Sequence, residues 1–201
     1  MKKYNFSDLI WCNKNALSKD VCNHVISKFE KDDNKYTGRI LSGIDTNFKR
    51  STDLSLSASP DWREEDKIFS DSLYENVKTY FSFYKEEFNF FQCIGNISDS
   101  GYQIQRTKPG EFYKWHHDFL CHNNKYRILT LIWYLNDVEY DGETQFIDGT
   151  KIKPETGKLM IFPATWNYVH CGVPPKCETK YLCTTWVSIQ TFEKDGKVYH
   201  S

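Results

Sequence analysis

Near residue 93 the hydrophobic period of this chain changes from that of a helix to that of a strand. Before the change, Phe69, Leu73, Val77, Tyr80, Phe81, Tyr84 and Phe88 trace one apolar stripe behind Ser59-Pro60, a cap-plus-first-turn signal, and predict one long helix. A shorter helix is predicted behind Ser18, with Val21, Val25 and Phe29 on one face, Asp20 near its positive end and a stop near Lys31. After the change, Tyr102, Ile104 and Arg106 alternate with Gln103 and Gln105, and LTLIWYLN and KLMIFP are β-rich runs bounded by turns. Helices first and strands afterwards imply an α+β, mainly β chain. We expect residues 1–92 to be helical and 93–192 to be a β core. The polar stretch over residues 32–58, rich in Gly, Ser, Asp and Asn, is expected to be a mobile, substrate-facing loop carrying only short strands.

At 201 residues the chain is expected to form one domain, and 13 Tyr with 14 Phe supply ample core material. Formal net charge −1 with no basic stripe argues against nucleic acid as a partner. The start, MKKYNFSDLIWCNKN, lacks an apolar signal core, and no run approaches the roughly 18 apolar residues that span a bilayer, so we expect a cytoplasmic protein without membrane contact. Seven cysteines, an odd number without a CxxC pair, fit reduced thiols. Cys171, Cys177 and Cys183 are read as packing residues.

The chemistry begins at KWHHDFL. In an extended segment residues i and i+2 face the same side, so His116 and Asp118 can reach one metal ion while His117 points away. A third ligand must come from a distant strand. His170 is the best candidate, because it follows LMIFP and precedes a Gly-Val-Pro-Pro turn; His122 stays open as an alternative close to the first pair. Two imidazoles and one carboxylate suit Fe(II) and leave coordination positions open for chemistry.

HHD, then RILTLIWYLNDVEYDGETQF, then GKLMIFP, His170 and Lys180-Tyr181 together resemble the Fe(II)/2-oxoglutarate-dependent oxygenases, within them the prolyl 4-hydroxylase-like group, over roughly residues 100 to 190. The resemblance implies a double-stranded β-helix (jelly-roll) core with the N-terminal helices packed against one sheet. It also implies Fe(II) at His116, Asp118 and His170, and 2-oxoglutarate and O₂ as co-substrates with succinate and CO₂ as co-products; ascorbate is a further candidate cofactor. Lys180, ten residues after His170, stands where the family carries a cation for the distal carboxylate of 2-oxoglutarate, and Tyr134 in WYLND matches a tyrosine that hydrogen-bonds the same region. Strand alternation puts Thr184 and Trp186 on the face of Lys180, as support and wall of the pocket. Thr144 in DGETQF resembles a family turn that orients a strand beside the site, and Arg50-Ser51-Thr52 resembles a segment that would bring the polar stretch near the substrate.

Two departures are visible: Thr107-Lys108-Pro109-Gly110 lacks the tyrosine often found before the Pro-Gly turn, and Asp141 replaces the first glycine of a Gly-Gly pair. The activity this implies is hydroxylation of a prolyl residue in a peptide or protein. The alternatives are a free amino acid or other small molecule as substrate, or a non-catalytic metal-binding β-barrel used as a peptide-binding module. The triad with Lys180 argues against the latter.

Overall fold

The computed structural model describes residues 5–84, 97–194 and 197–200, with the backbone alone from 191 onward. Phe88 of the expected helical stripe lies outside the described residues. The helices are α1 (Lys19–Lys31) and α2 (Arg63–Tyr84). The first strands are β1 (Trp11–Asn13), β2 (Tyr36–Thr37), β3 (Thr52–Ser55), β4 (Ile97–Asp99) and β5 (Gln103–Thr107). They are followed by β6 (Tyr113–His116), β7 (Cys121–His122), β8 (Lys125–Tyr134), β9 (Thr144–Phe146) and β10 (Lys151–Ile152). The last are β11 (Leu159–Pro163), β12 (His170–Gly172), β13 (Lys180–Lys194) and β14 (Lys197–His200).

The Ser18 hydroxyl accepts from the Val21 N–H, and α1 ends at Lys31 as its spacing predicts. The entry to α2 differs from expectation. Ser59 makes no side-chain cap; Pro60–Trp62 form a single 3₁₀ turn, and the α-helix starts at Arg63 with Glu64, Glu65 and Asp66 at its positive end.

Every strand pairing is antiparallel. The larger sheet runs β1-β11-β8-β13-β5-β3-β2, with β4 and β14 also paired to β13 and β7 to β8; the smaller runs β10-β9-β12-β6. Strands β1 to β3 therefore extend the larger sheet from within the stretch expected to be helical. With two to four residues each they are too short to show a period in sequence.

Alternation along the central strands separates two cores. Leu129, Leu131 and Trp133 of β8, Leu159 and Ile161 of β11, and Cys183 and Val187 of β13 pack with Val25, Phe29, Phe69, Leu73 and Val77 of the helices. Ile132 and Tyr134, Met160 and Phe162, and Leu182 point the other way, toward Phe146 and Tyr168. The helices thus cover one face of the larger sheet. Each large apolar side chain buried in these layers contributes about 1.5–3 kcal/mol, so a one-residue slip of β8 would exchange both cores at once. A short polar chain runs under the helices: the Trp133 indole N–H donates to Ser72 Oγ (3.0 Å), and that hydroxyl donates to the Ala16 carbonyl (3.1 Å).

Residues 48–55 join the two sheets. The Arg50 N–H donates to the Phe112 carbonyl (2.8 Å) and the Lys114 N–H to the Phe48 carbonyl (2.9 Å), so the segment first runs along β6; from Thr52 to Ser55 it pairs with Arg106 to Gln103 of β5. Nearly a third of the stretch expected to be a loop is the wall that closes the space between the sheets.

The cysteines do not form a set. Cys183 is buried, but Cys171 is half-buried and Cys177 exposed, which corrects their common reading as packing residues; their six-residue spacing falls on β12, the connection after it and β13. Among the described residues no helix is long and apolar enough to cross a membrane.

Gly157 fixes the start of α1 to the sheet. Its φ is +80°, its carbonyl accepts from the N–H groups of Ala16 and Leu17, and a Cβ would lie 2.2 Å from the Leu17 carbonyl oxygen. Gly157→Ala is therefore expected to destabilise the fold by roughly 2 kcal/mol or more, since the strained φ and the backbone clash add. Thermal unfolding followed by circular dichroism checks this; an unchanged midpoint would contradict it.

Candidate metal centre

His116 ends β6 and His170 begins β12, and the two are paired directly across the smaller sheet. Asp118 follows two residues beyond β6. One donor atom from each of the three side chains lies within 4.8 Å of the others. His116 Nε2 is 3.8 Å from Asp118 Oδ1, and His170 Nε2 is 3.6 Å from Oδ2. These separations are too long for hydrogen bonds, so three donors converge on one point without satisfying one another. Each ring is anchored from behind: His116 Nδ1 donates to the Lys114 carbonyl (2.7 Å) and His170 Nδ1 to the Tyr168 carbonyl (2.9 Å). That tautomer leaves both Nε2 lone pairs aimed at the shared point, which is what a metal ligand requires.

Electrostatics support the same use. Burial, then the neighbouring His170, pushes His116 down to about 3, so the ring stays neutral. Burial alone would raise the Asp118 carboxyl, but His170, His116 and the Thr130 hydroxyl outweigh it and hold the group below its usual range. Thr130 Oγ1 donates to Asp118 Oδ2 at 2.8 Å, and the Trp186 indole N–H lies toward the same carboxylate without closing a hydrogen bond. Two imidazoles and an ionised carboxylate form a donor set that fits Fe(II).

The three side chains stand at one end of a cavity of about 590 Å³, counting the solvent at its mouth. Lys180 lies at its wall, only 2% exposed. Its ammonium donates to the Gly142 carbonyl (2.8 Å), and among the described residues no carboxylate stands within ion-pair distance of it. Burial pushes this lysine down to about 8. Thr184 and Trp186 also line the cavity, as strand alternation predicts, with the Thr184 hydroxyl donating to the Leu131 carbonyl (3.0 Å). Tyr134 does not reach it. Its hydroxyl donates to Thr144 Oγ1 (2.7 Å), and Thr144 is the one that faces the cavity. His117 and His122 are exposed and stand outside the cluster.

Two contributors escape the sequence reading. Thr130 interrupts the apolar run from Ile128 to Trp133 of β8, and that contrast was the available signal. Tyr113 had none. Its ring stacks on His116 at a centroid distance of 3.6 Å and 15° between planes, although residues three apart on a regular strand face opposite sides. A bulge resolves this: between His170 and Gly172 on β12, β6 advances from His116 to Tyr113, one residue more, which turns both rings to the same side.

Residues 102–188 match the family model described as the 2OG-Fe(II) oxygenase superfamily. That span of the chain is similar to the superfamily. The matched span contains His116, Asp118, His170, Lys180, Thr184 and Trp186. Over 176 residues the chain is 26% identical to a protein of Acanthamoeba polyphaga mimivirus provisionally named a prolyl 4-hydroxylase, with 78% of this chain and 65% of that one aligned. It is 27% identical over 90 residues to a PKHD-type hydroxylase of Synechococcus, covering 42% of this chain and 40% of the relative. The chain thus spans less than two thirds of the length of these curated relatives. Among solved structures, the viral collagen prolyl hydroxylase of Paramecium Bursaria Chlorella virus-1 in its 2OG complex superposes with a TM-score of 0.67 at 23% identity, covering 90% of this chain and 96% of that one. A Trichoplax adhaerens prolyl hydroxylase in complex with a hypoxia inducible factor peptide fragment gives 0.70 at 16% identity, covering 90% and 84%. At these identities the likeness is one of fold.

Proposed function

We propose that this protein is an Fe(II)- and 2-oxoglutarate-dependent oxygenase that hydroxylates a prolyl residue in a peptide or protein. The observation that carries the reading is a single cavity lined by a two-histidine, one-carboxylate cluster and by a buried lysine with no carboxylate at ion-pair distance among the described residues. A bound Fe(II) supplies redox chemistry between O₂ and 2-oxoglutarate, with succinate and CO₂ as co-products and one oxygen atom delivered to the substrate. His116, Asp118 and His170 would hold the metal, and Lys180 would take the distal carboxylate, assisted by the Thr144 hydroxyl that Tyr134 orients. Trp186 and Tyr113 would keep water from the reacting end. The two antiparallel sheets joined at residues 48–55 support a double-stranded β-helix as the scaffold. Prolyl 4-hydroxylase relatives support proline as the target.

A groove continues outward from the cavity, sharing Tyr113, His116, Asp118 and Trp186 with it and bounded further out by Leu41 and Trp115. Its aromatic lining and length favour a peptide over a free amino acid. Arg127 lies 3.8 Å over the Trp186 ring, and among the described residues its guanidinium has no hydrogen-bond partner, which leaves it for a substrate carbonyl. Leu41, 87% exposed between the paired residues Ile40 and Gly43, overhangs this groove and is the part of the polar stretch we retain as substrate-facing. The free described thiols support a reducing compartment, such as the cytoplasm.

A panel of prolyl peptides and free amino acids, incubated with Fe(II), 2-oxoglutarate and ascorbate, tests the reading. A prolyl peptide is expected to gain one oxygen by mass with stoichiometric succinate. Oxygen gain on free amino acids alone would overturn the peptide assignment. In the same mixture the amides of residues 39–48 are expected to exchange at least several-fold more slowly with the peptide than without it.

A further inference from the structure

Two buried lysines line the cavity, and among the described residues only Lys49 has a carboxylate at ion-pair distance. Lys49, 3% exposed, donates to Asp53 Oδ2 at 2.7 Å, and Asp53, fully buried, also accepts from the Ser51 hydroxyl at 2.7 Å. Gly38 covers the pair so closely that a Cβ there would lie 2.2 Å from Ser51 Oγ and 3.2 Å from Asp53 Oδ2. The Lys49 ammonium is 5.1 Å from the centre of the Tyr113 ring, the same ring that stacks on His116 at 3.6 Å. It therefore stands within one Debye length, about 10 Å at 0.1 M salt, of a metal ligand, on a buried path where screening is weaker still. An uncompensated ammonium there would repel a divalent ion.

We propose that Asp53 is a positioning residue of the metal centre, whose carboxylate cancels the charge of Lys49 so that this lysine can close the corner between the sheets without opposing a divalent cation at His116, Asp118 and His170. The proposal rests on the reading of those three residues as a metal centre. A buried ion pair serving only the fold would act otherwise: breaking it from either side would lower stability and shift metal affinity, if at all, in one direction. Charge compensation demands opposite signs. Asp53→Asn leaves the cation alone beside the site, whereas Lys49→Met leaves the anion alone.

Calorimetric titration of the metal-free protein with Mn(II) separates these cases. Asp53→Asn is expected to weaken Mn(II) binding about tenfold, Lys49→Met to bind at least as tightly as wild type, and the double variant to return to within about threefold of wild type. Thermal unfolding of each variant reports the fold separately, and Lys49→Met decides the matter should Asp53→Asn not fold. Weakened binding in Lys49→Met, or wild-type binding in a folded Asp53→Asn, overturns the proposal while leaving the metal centre in place. Wild-type protein that binds no Mn(II) removes the metal centre itself, and the proposal with it.

Discussion

Alanine at His116, Asp118 or His170 is expected to abolish turnover while the protein stays folded. The three donors make no hydrogen bonds to one another, and their anchors are backbone carbonyls and the Thr130 hydroxyl; His170→Ala also gives up ring contacts with Phe146 and Phe162, and His116→Ala the stacking of Tyr113, a modest loss beside the two cores. Two remaining ligands hold a divalent ion too weakly for chemistry, because each lost donor also leaves the other two converging on an incomplete site. Calorimetry with Fe(II) or Mn(II) should show no measurable binding in any of the three variants. His117→Ala, whose ring is exposed and directed away, should keep activity within a few-fold of wild type. Unchanged metal affinity in His170→Ala would mean that another group completes the set.

Lys180→Ala is expected to weaken 2-oxoglutarate binding by about 30-fold or more and to leave metal affinity nearly unchanged. Truncating one member of a desolvated charge pair costs on the order of 2–5 kcal/mol, and about 2 kcal/mol already corresponds to that factor. Lys180→Arg should retain part of the affinity, since the charge persists while its fork differs from an ammonium. The sign of the pH dependence follows from the depressed value near 8. A bound carboxylate favours the charged lysine and raises that value, so affinity is full below about pH 8 and falls up to tenfold per pH unit above it. In the free protein the burial penalty acts the other way: the unfolded chain holds more protons between about pH 8 and the ordinary lysine value, so Lys180 favours folding more as pH rises through that window. Titration at two pH values with wild type and Lys180→Ala checks both effects; a variant with wild-type affinity would leave the anchor unassigned.

The convergence of His116, Asp118 and His170 was legible because each sits where a short-range rule applies: His116 and Asp118 two apart in extended chain, and His170 at the start of a strand behind an apolar run. Lys180, Thr184 and Trp186 shared a strand whose period of two survives in the structure. What escaped depends on partners far along the chain. Tyr113 faces the site only because β6 carries an extra residue against β12, and Asp53 is buried only because Gly38 and Lys49 close on it. The polar composition of residues 32–58 suggested a loop, since an inward-facing ion pair reads in sequence like two surface charges. The Ser59 cap failed for a similar reason: composition proposes a hydrogen bond, but the turn at Pro60–Trp62 satisfies those groups through the backbone.

The order of strands in the larger sheet has a consequence for how the protein comes into being. β13 is the hub, pairing with β4, β5, β8 and β14, yet it begins only at Lys180, and β1 finds its partner only when Ile161 exists. A growing chain that has emerged as far as residue 160 holds both helices and two ligands, but has neither the third ligand nor the strand that unites the halves of its sheet. Pairings so distant in sequence form slowly, because chain closure must precede the contacts that reward it. The nascent chain therefore carries unsatisfied strand edges through most of its synthesis, and a metal ion held by His116, Asp118 and His170 would be taken up after assembly of the sheets instead of guiding it.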